Sequence, residues 1–463
     1  MILSFISLLI TGFVSVNTFA SGQSAQQLFS AQRLYSLETD QSKDPGLLQD
    51  KQAIEWAIEY VGTKPKSENS SKLMVPASVT KIVTTAAALK YLGKDYRFKN
   101  TFHAELDPSS GIASDLHFEV SGDPSWNDER MNRVSEQLIQ FGIKKVVGKI
   151  SVTSLMPTLD QIPRPSAWPD RWALECMANL PNSFIYDGNC GVAVIHSKSS
   201  AEWITPGVEI PIILKLKLGN VNHYSIGPHF DEFGKIKSYT ISGIIRSKNI
   251  TIPLPVHSGM NWLKKLMMIN LKDHGITYSE ESKVHGKDPF TLDLSSAPLI
   301  QILIPAVQNS WNYVLDRVFY ELPTNALLDE FKFLVDDSKL TEGLAFFDGS
   351  GLNRNNRVRS DAILVFLERI KSEAYFQDFF STLAVSGKTG TLENRLTETI
   401  TFGKIFGKTG TLDGVNNLVG YYLDKNQNLL PFSVLTEVAK DQIYNNQIRE
   451  MIDKVVSQFA EIN

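Results

Sequence analysis

Cysteine is nearly missing from this chain: 463 residues carry only Cys176 and Cys190. A disulfide-built scaffold and a cysteine-rich metal site are therefore excluded. The pair could close one loop, a bridge that contributes about 3 kcal/mol, or stay as two buried thiols; spacing alone leaves both open. Histidine is confined rather than scarce. All eight lie between His103 and His285. None falls near the motifs below, which argues against a Ser-His-Asp triad, and no His-x-x-x-His pair is present to hold zinc. There is no basic run, and the net charge is −4, so nothing points to a nucleic-acid partner. A phosphate-binding loop is also absent. Each Gly-Lys-Thr would need a glycine five positions before its own glycine, where Thr382 and Phe402 stand.

Long apolar runs are missing beyond the N-terminus, so no later stretch is expected to cross a membrane. Met1 to Phe19 has no charged side chain, and Thr18-Phe19-Ala20 offers a small-x-small site. This reads as a secretory signal peptide, residues 1–20, without the usual Lys or Arg ahead of the apolar segment; the alternative is an uncleaved anchor, in a run interrupted by Ser4, Ser7, Thr11, Gly12 and Ser15. The length predicts two or more domains. No internal repeat or low-complexity segment occurs.

What is present is organised around Pro76-Ala77-Ser78-Val79-Thr80-Lys81-Ile82-Val83-Thr84-Thr85-Ala86-Ala87-Ala88-Leu89. The alanines and Leu89 favour helix, and Gly93 supplies a stop. Ser78 and Lys81 are three apart, so they share a helix face, a hydroxyl within reach of an amine. A lysine serves such a serine as base only when neutral, which calls for burial or a neighbouring cation. The plain alternative is an N-cap serine beside a solvated lysine.

Downstream the texture becomes β-rich. Tyr96–Phe102, Leu116–Val120, Val146–Val152 and Tyr239–Ile245 alternate with period two and read as strands. Ala53–Tyr60 fits helix or strand. Helical spacing resumes over Trp262–His274, from Pro298, and over Asp361–Lys371. The chain closes with strand-like runs at Asn417–Leu423 and Leu429–Leu435, then a helix over Ile443–Phe459.

Two further motifs stand out. Ser310-Trp311-Asn312 lies between helical segments. Lys408-Thr409-Gly410-Thr411 leads into the hairpin-like Leu412–Leu423, where a glycine would keep a sheet edge bare for a ligand backbone. Lys388-Thr389-Gly390-Thr391 repeats the same letters. It reads as a loop because Glu393-Asn394-Arg395 follows, whereas Lys408 comes after strand-like Thr399–Phe402.

Ser-x-x-Lys, Ser-x-Asn and Lys-Thr-Gly in this order resemble the serine penicillin-recognising enzymes, a motif set known for its acyl-transfer chemistry. The long separation of Ser78 from Ser310 is similar to that of class C low-molecular-mass penicillin-binding proteins, the D-alanyl-D-alanine carboxypeptidase/endopeptidase family. Gly122-Asp123-Pro124, Ala297-Pro298-Leu299, Asp348-Gly349-Ser350-Gly351-Leu352 and Gly387 through Arg395 match that family as well. The resemblance implies an α/β fold, a transpeptidase-like antiparallel sheet flanked by helices. Residues 21–98 and 291–463 would form the catalytic domain and 99–290 a β-rich insert.

It also implies roles. Ser78 is the expected nucleophile, Lys81 its base, Ser310 a proton relay, and Asn312 a clamp on Lys81 and the substrate. Lys408 and Thr409 would bind a terminal carboxylate, with Gly410 and Thr411 beside it and the N–H groups of Ser78 and Thr411 as oxyanion hole. Expected partners are peptidoglycan stem peptides and β-lactams, with wall or membrane-surface association, periplasmic export, and no metal or organic cofactor. A β-lactamase or esterase of the same fold and an inactive wall-binding protein are the rival readings. Two departures are visible: Trp311 where Asp or Asn is common, and Val152-Thr153-Ser154 where many relatives carry an Asp that holds a stem-peptide amine.

Overall fold

The computed structural model describes residues 54–463 apart from 166–167, 232–234, 247–248, 257–258, 281–287 and 439–444. The expected signal peptide, residues 1–20, lies outside the described residues.

Ile54–Tyr60 (β1) and Lys66–Glu68 (β2) are the first elements among the described residues, resolving the ambiguous segment as strand from Ile54 onward. Ala77–Val79 make one 3-10 turn and Thr80–Tyr91 form α1. Ten consecutive residues of α1, Thr80 to Leu89, are buried, the mark of a helix running through a core rather than along a surface. It stops where Gly93 takes a φ of +82° and donates its N–H to the Ala88 carbonyl.

The middle of the chain supplies Thr101–Asp107 (β3), Ile112–Val120 (β4), Asp128–Gln140 (α2), Lys145–Ser154 (β5), Cys190–Ser197 (β6), Ser200–Trp203 (β7), Ile212–Leu218 (β8), His223–Phe230 (β9), Ile236–Ile245 (β10), Ile250–Pro255 (β11), Gly259–Asp273 (α3), Thr277–Ser279 (β12) and Asp288–Asp293 (β13). They form a five-stranded sheet ordered β12-β5-β4-β3-β13 and two three-stranded sheets, β8-β10-β9 and β11-β6-β7. One apolar core from Phe102 to Leu294 gathers side chains of all three sheets with Trp262, Leu263 and Leu266 of α3.

The last part brings Leu299–Gln308 (α4), Asn312–Phe319 (α5), Ala326–Val335 (α6), Ser360–Arg369 (α7), Phe376–Ser381 (α8), Ala384–Val385 (β14), Ile405–Leu412 (β15), Val415–Leu423 (β16), Leu429–Val438 (β17) and Asn445–Ile462 (α9). Antiparallel pairing gives the order β14-β15-β16-β17-β1-β2, so both ends of the described chain meet in one sheet. Alternation along β16 sends Val419 and Tyr421 to the α1 side and Leu418 and Tyr422 toward α9. The result is helices on both faces of an antiparallel sheet, as the resemblance implied.

Three local expectations change. Pairing begins at Thr101, and Tyr96–Phe98 form a joint instead of a strand: the Tyr96 hydroxyl donates to Glu321 at 2.5 Å and the Phe98 N–H to Ser296 Oγ at 2.9 Å. Inward-facing aromatics at alternate positions imitated a strand. Thr399–Phe402 is a turn, closed by Thr401 Oγ1 on the Leu396 carbonyl at 2.8 Å, and the strand starts only at Ile405. Helix α2 was not anticipated, although Asn127 caps it by accepting the Arg130 N–H at 2.9 Å and Met131, Val134 and Leu138 line its buried face.

Arg317 of α5 joins the two regions. Fully buried, it donates from Nη2 to the Ser121 carbonyl at 2.7 Å and from Nε to the Gly122 carbonyl at 3.0 Å, with Glu321 at 2.6 Å balancing its charge. Asp123 accepts from Asn100 at 2.8 Å and Arg130 at 2.5 Å. Gly122-Asp123-Pro124 thus serves this joint.

Cys176 and Cys190 are disulfide-bonded, Cα atoms 5.4 Å apart, across a separation of 14 residues. The loop they close ends in the turn Asp187–Asn189, where Asp187, Gly188 and Asn189 all have positive φ. A Cβ on Gly188 would come within 2.8 Å of the Tyr313 ring, so the turn rests on α5. Burial, helped by Asp128, pushes the Asp187 carboxyl up to about 7.

Replacing both cysteines with alanine should lower unfolding free energy by about 3 kcal/mol in urea titrations, the value for a loop of this size; an unchanged midpoint and slope would show that the bridge constrains nothing. Asp187 also sets a pH dependence. An aspartate in the unfolded chain ionises near about pH 4, so between there and about pH 7 the native state holds the extra proton and stability falls as pH rises. Asp187→Asn should flatten that decline in melting scans between about pH 4.5 and about pH 8, and parallel profiles for the two proteins would refute the assignment.

Candidate active site

Ser78 sits in the 3-10 turn that leads into α1, and Val79, not Ser78, occupies the N-cap position of that helix. The preceding Ala77 has a φ of +47°, a backbone state that costs on the order of 1 kcal/mol for a residue with a Cβ. Neighbours hold it there. A Cβ on Gly351 would lie 1.8 Å from the Ala77 carbonyl oxygen, so the 348–352 loop presses directly on this turn. Asn417 of β16 donates to the carbonyls of Val75 and Pro76 at 3.0 and 2.8 Å. On β15, a Cβ on Gly410 would meet the Pro76 carbonyl at 2.6 Å. Gly410 therefore makes room for the Pro76–Ala77 segment of the chain itself, a different use of a bare glycine from the one expected.

Lys81, one helical turn on, has no exposed surface. Its Nζ lies 2.9 Å from Ser78 Oγ, 2.6 Å from Asn312 Oδ1 and 2.6 Å from the Ser350 carbonyl oxygen. The solvated-lysine alternative is thereby ruled out. Asn312 begins α5, and its Nδ2 donates to the Met177 carbonyl at 2.8 Å. A carbonyl can only accept, so this contact fixes the amide with its oxygen toward Lys81.

Ser310 links α4 to α5 with a φ of +62°. The Lys408 amine, buried on β15, donates to Ser310 Oγ at 3.0 Å and to the Thr409 carbonyl at 2.8 Å. Five of the expected residues, Ser78, Lys81, Asn312, Ser310 and Lys408, thus meet from three distant segments. Thr409 adjoins them. Its hydroxyl donates to Thr391 Oγ1 at 2.8 Å. Thr411 lies exposed toward the end of β15. Trp311 stacks on Tyr313 with ring centroids 6.2 Å apart, so its bulk goes into packing.

Sequence reasoning missed the support beneath Lys81. Asp316, buried one turn after Asn312 on α5, accepts the N–H groups of Gly349 and Ser350 at 3.1 and 2.8 Å. Asp348 accepts from Gly351 and Asn356 at 2.8 and 2.7 Å. The two carboxylates hold the loop that offers the Ser350 carbonyl to Lys81. Burial raises the pKa of each, while Lys81 pulls both the other way. The i, i+4 spacing of Asn312 and Asp316 was the available signal. Met177 gave none, because it contributes a main-chain oxygen. It is brought in by a small apolar cluster in which Trp168, Trp172 and Ala178 pack on Val75, Ala77, Leu352 and Leu412.

Known proteins bear on this arrangement. The chain is 24% identical to a D-alanyl-D-alanine carboxypeptidase of Actinomadura sp. (strain R39), across 83% of this chain and 78% of that protein. It is 23% identical to the D-alanyl-D-alanine carboxypeptidase DacB of Haemophilus influenzae, across 76% and 78%. Its fold matches the crystal structure of penicillin binding protein 4 (dacB) from Haemophilus influenzae with a TM-score of 0.69 at 17% identity, covering 88% of this chain and 97% of that one. A penicillin-G-acylated predatory endopeptidase from Bdellovibrio bacteriovorus, solved with an immunity protein, matches with a TM-score of 0.51 at 18% identity over 89% and 93%. The family model for D-Ala-D-Ala carboxypeptidase 3 (S13) aligns with residues 43–459, and the chain belongs to that family.

Proposed function

We propose that this protein hydrolyses the bond between two D-amino acids in peptidoglycan stem peptides, with Ser78 as the nucleophile of an acyl-enzyme mechanism. Its class, a serine-type D-Ala-D-Ala carboxypeptidase, follows from the family. The observation that carries the residue assignment is the Lys81 amine, buried and 2.9 Å from Ser78 Oγ.

Asn312 Oδ1 and the Ser350 carbonyl can only accept hydrogen bonds. A neutral amine that gives its two hydrogens to them turns its lone pair toward Ser78, the orientation a general base needs. Burial of Lys81 favours that neutral form, and the Lys408 cation adds to it. The two carboxylates below oppose it, while burial raises the pKa of each. In this reading Ser78 attacks the scissile carbonyl and passes its proton to Lys81. Ser310, held by Lys408, relays a proton to the leaving amine. Backbone N–H groups of Ser78 and Thr411 receive the oxyanion, where one donor lowers the barrier by roughly 3 kcal/mol. Lys408 and Thr409 meet the terminal carboxylate, and water then frees the acyl-enzyme.

β-Lactams would acylate the same hydroxyl. The enzyme would act after export to the periplasm, with residues 1–20 as the signal peptide and 99–290 as the inserted region; the disulfide suits an oxidising compartment.

Purified protein should release D-alanine from a stem pentapeptide and take a covalent label from fluorescent penicillin. Ser78→Ala should abolish both in a protein with unchanged circular dichroism; a persistent label would displace Ser78 from its role. Gly351→Ala pushes a methyl into the Ala77 carbonyl and should slow labelling by about a hundredfold or more, because misplacing a reacting atom by about 1 Å costs that much. Labelling at the wild-type rate would show that the 348–352 loop does not set the nucleophile.

A further inference from the structure

The three-stranded sheet β8-β10-β9 turns one face to the core through Leu216, Tyr239, Ile241 and Ile245. Its register sends two neighbouring rows to the other face, Lys215 with Ser242 and Ser225, then Lys217 with Ile244 and His223. None of the three strands contains a carboxylate. From Pro211 to Lys272 the sequence holds nine Lys and Arg against only Asp231 and Glu232, in a chain whose net charge is −4. Asp231 follows the far end of β9, roughly 25 Å from His223 at about 3.3 Å per residue. The end that carries Lys217 is also apolar. Leu218 is 68% exposed, Val221 58% and Ile244 37%. A Cβ on Gly219 would come within 2.4 Å of Ile244 Cγ2, so Ile244 lies against the loop that joins β8 to β9. Hydrogen bonds hold that loop in place. The Gly219 N–H donates to the Ile245 carbonyl at 3.1 Å, and the Arg246 N–H donates to Asn222 Oδ1 at 2.7 Å.

A single exposed leucine needs no explanation. Three apolar side chains on one restrained tip, flanked by the exposed Lys217 and Arg246, mark a surface that meets something. The combination fits the two layers of an anionic bilayer, where phosphates attract Lys and Arg and apolar groups enter the acyl boundary beneath. A soluble polyanion would engage the cations alone and leave the tip in water. We propose that the Leu218–Asn222 tip, with Lys215, Lys217 and Arg246 around it, docks this protein on an anionic lipid bilayer. The proposal draws on none of the residues of the Ser78 site. It adds a means of holding the exported chain at a membrane surface without a spanning helix.

The test uses the exported form, from Ser21 onward, so that the apolar leader takes no part. It is sedimented with vesicles of phosphatidylcholine alone or with about one-third phosphatidylglycerol. Binding should be about tenfold or more tighter to the anionic vesicles and should weaken as salt rises. Lys215→Ala with Lys217→Ala should weaken it about twentyfold, each cation near such a surface being worth about fivefold. Leu218→Ser with Val221→Ser should weaken it by about tenfold or more at unchanged charge. Both double variants should keep the wild-type circular dichroism and the wild-type release of D-alanine from a soluble peptide. Leu218→Cys gives a separate reading, since both native cysteines are bonded to each other. An environment-sensitive dye on it should brighten with anionic vesicles, whether or not the double variants are destabilised. No binding, equal binding to both vesicles, or a dye at 218 that stays dark would overturn the proposal. So would heparin binding of equal strength that ignores Leu218, which assigns the face to a soluble polyanion, or a dimer that depends on Leu218, which assigns it to a second copy. Wild-type protein that releases no D-alanine would count against the Ser78 reading alone.

Discussion

A lysine amine cannot be stripped of water without oxygen atoms to replace it. Lys81 finds them on three separate parts of the chain: the Ser78 hydroxyl, the Asn312 side chain and the Ser350 carbonyl. That demand ties the segments together. The 348–352 loop must run under α1, α5 must begin where it does, and the turn at Ala77 must tolerate its positive φ. Around this knot the close approaches are made possible by missing side chains, Gly351 against Ala77 and Gly410 against Pro76. A buried ionisable group is costly to install and more costly to leave half-satisfied, which is why so many carbonyls and carboxylates are spent near one amine.

The middle region takes part in the same arrangement. Its Met177 carbonyl orients Asn312, and Arg317 of α5 is in turn buried under the Ser121–Gly122 main chain. One short helix therefore carries a contact to Lys81 at its first residue and an anchor to the Ser121–Gly122 main chain five residues later. Position along α5 is defined from both sides.

Much of the candidate site was legible because its contacts are made by side chains. Ser78, Lys81, Ser310, Asn312 and Lys408 are side-chain chemistry, and their spacing survives in the linear sequence. The sheet and the long helices were legible from period-two and 3.6-residue patterns. What stayed hidden has physical reasons. Ser350 and Met177 act through main-chain oxygens, which leave no mark on residue identity. Asp316 looked like any acidic helix residue until Gly349 and Ser350 were seen to donate to it. The bond between Thr409 and Thr391 joins two segments 18 residues apart, and nothing in the letters of the loop at 388–391 announces it. The preference for Lys408 over Lys388 leaned on a strand at Thr399–Phe402 that is in fact a turn; the strand that carries Lys408 starts only at Ile405.

The contact from Met177 to Asn312 has an evolutionary corollary. Since a peptide oxygen makes it, the side chain at 177 can drift widely without touching the chemistry. The path of the backbone cannot, because the Cys176–Cys190 bridge begins at the neighbouring residue and the Asp187–Asn189 turn is seated on Tyr313. Selection in this region should act on the course of the loop, tolerating divergent lettering while rejecting insertions and deletions between the two cysteines.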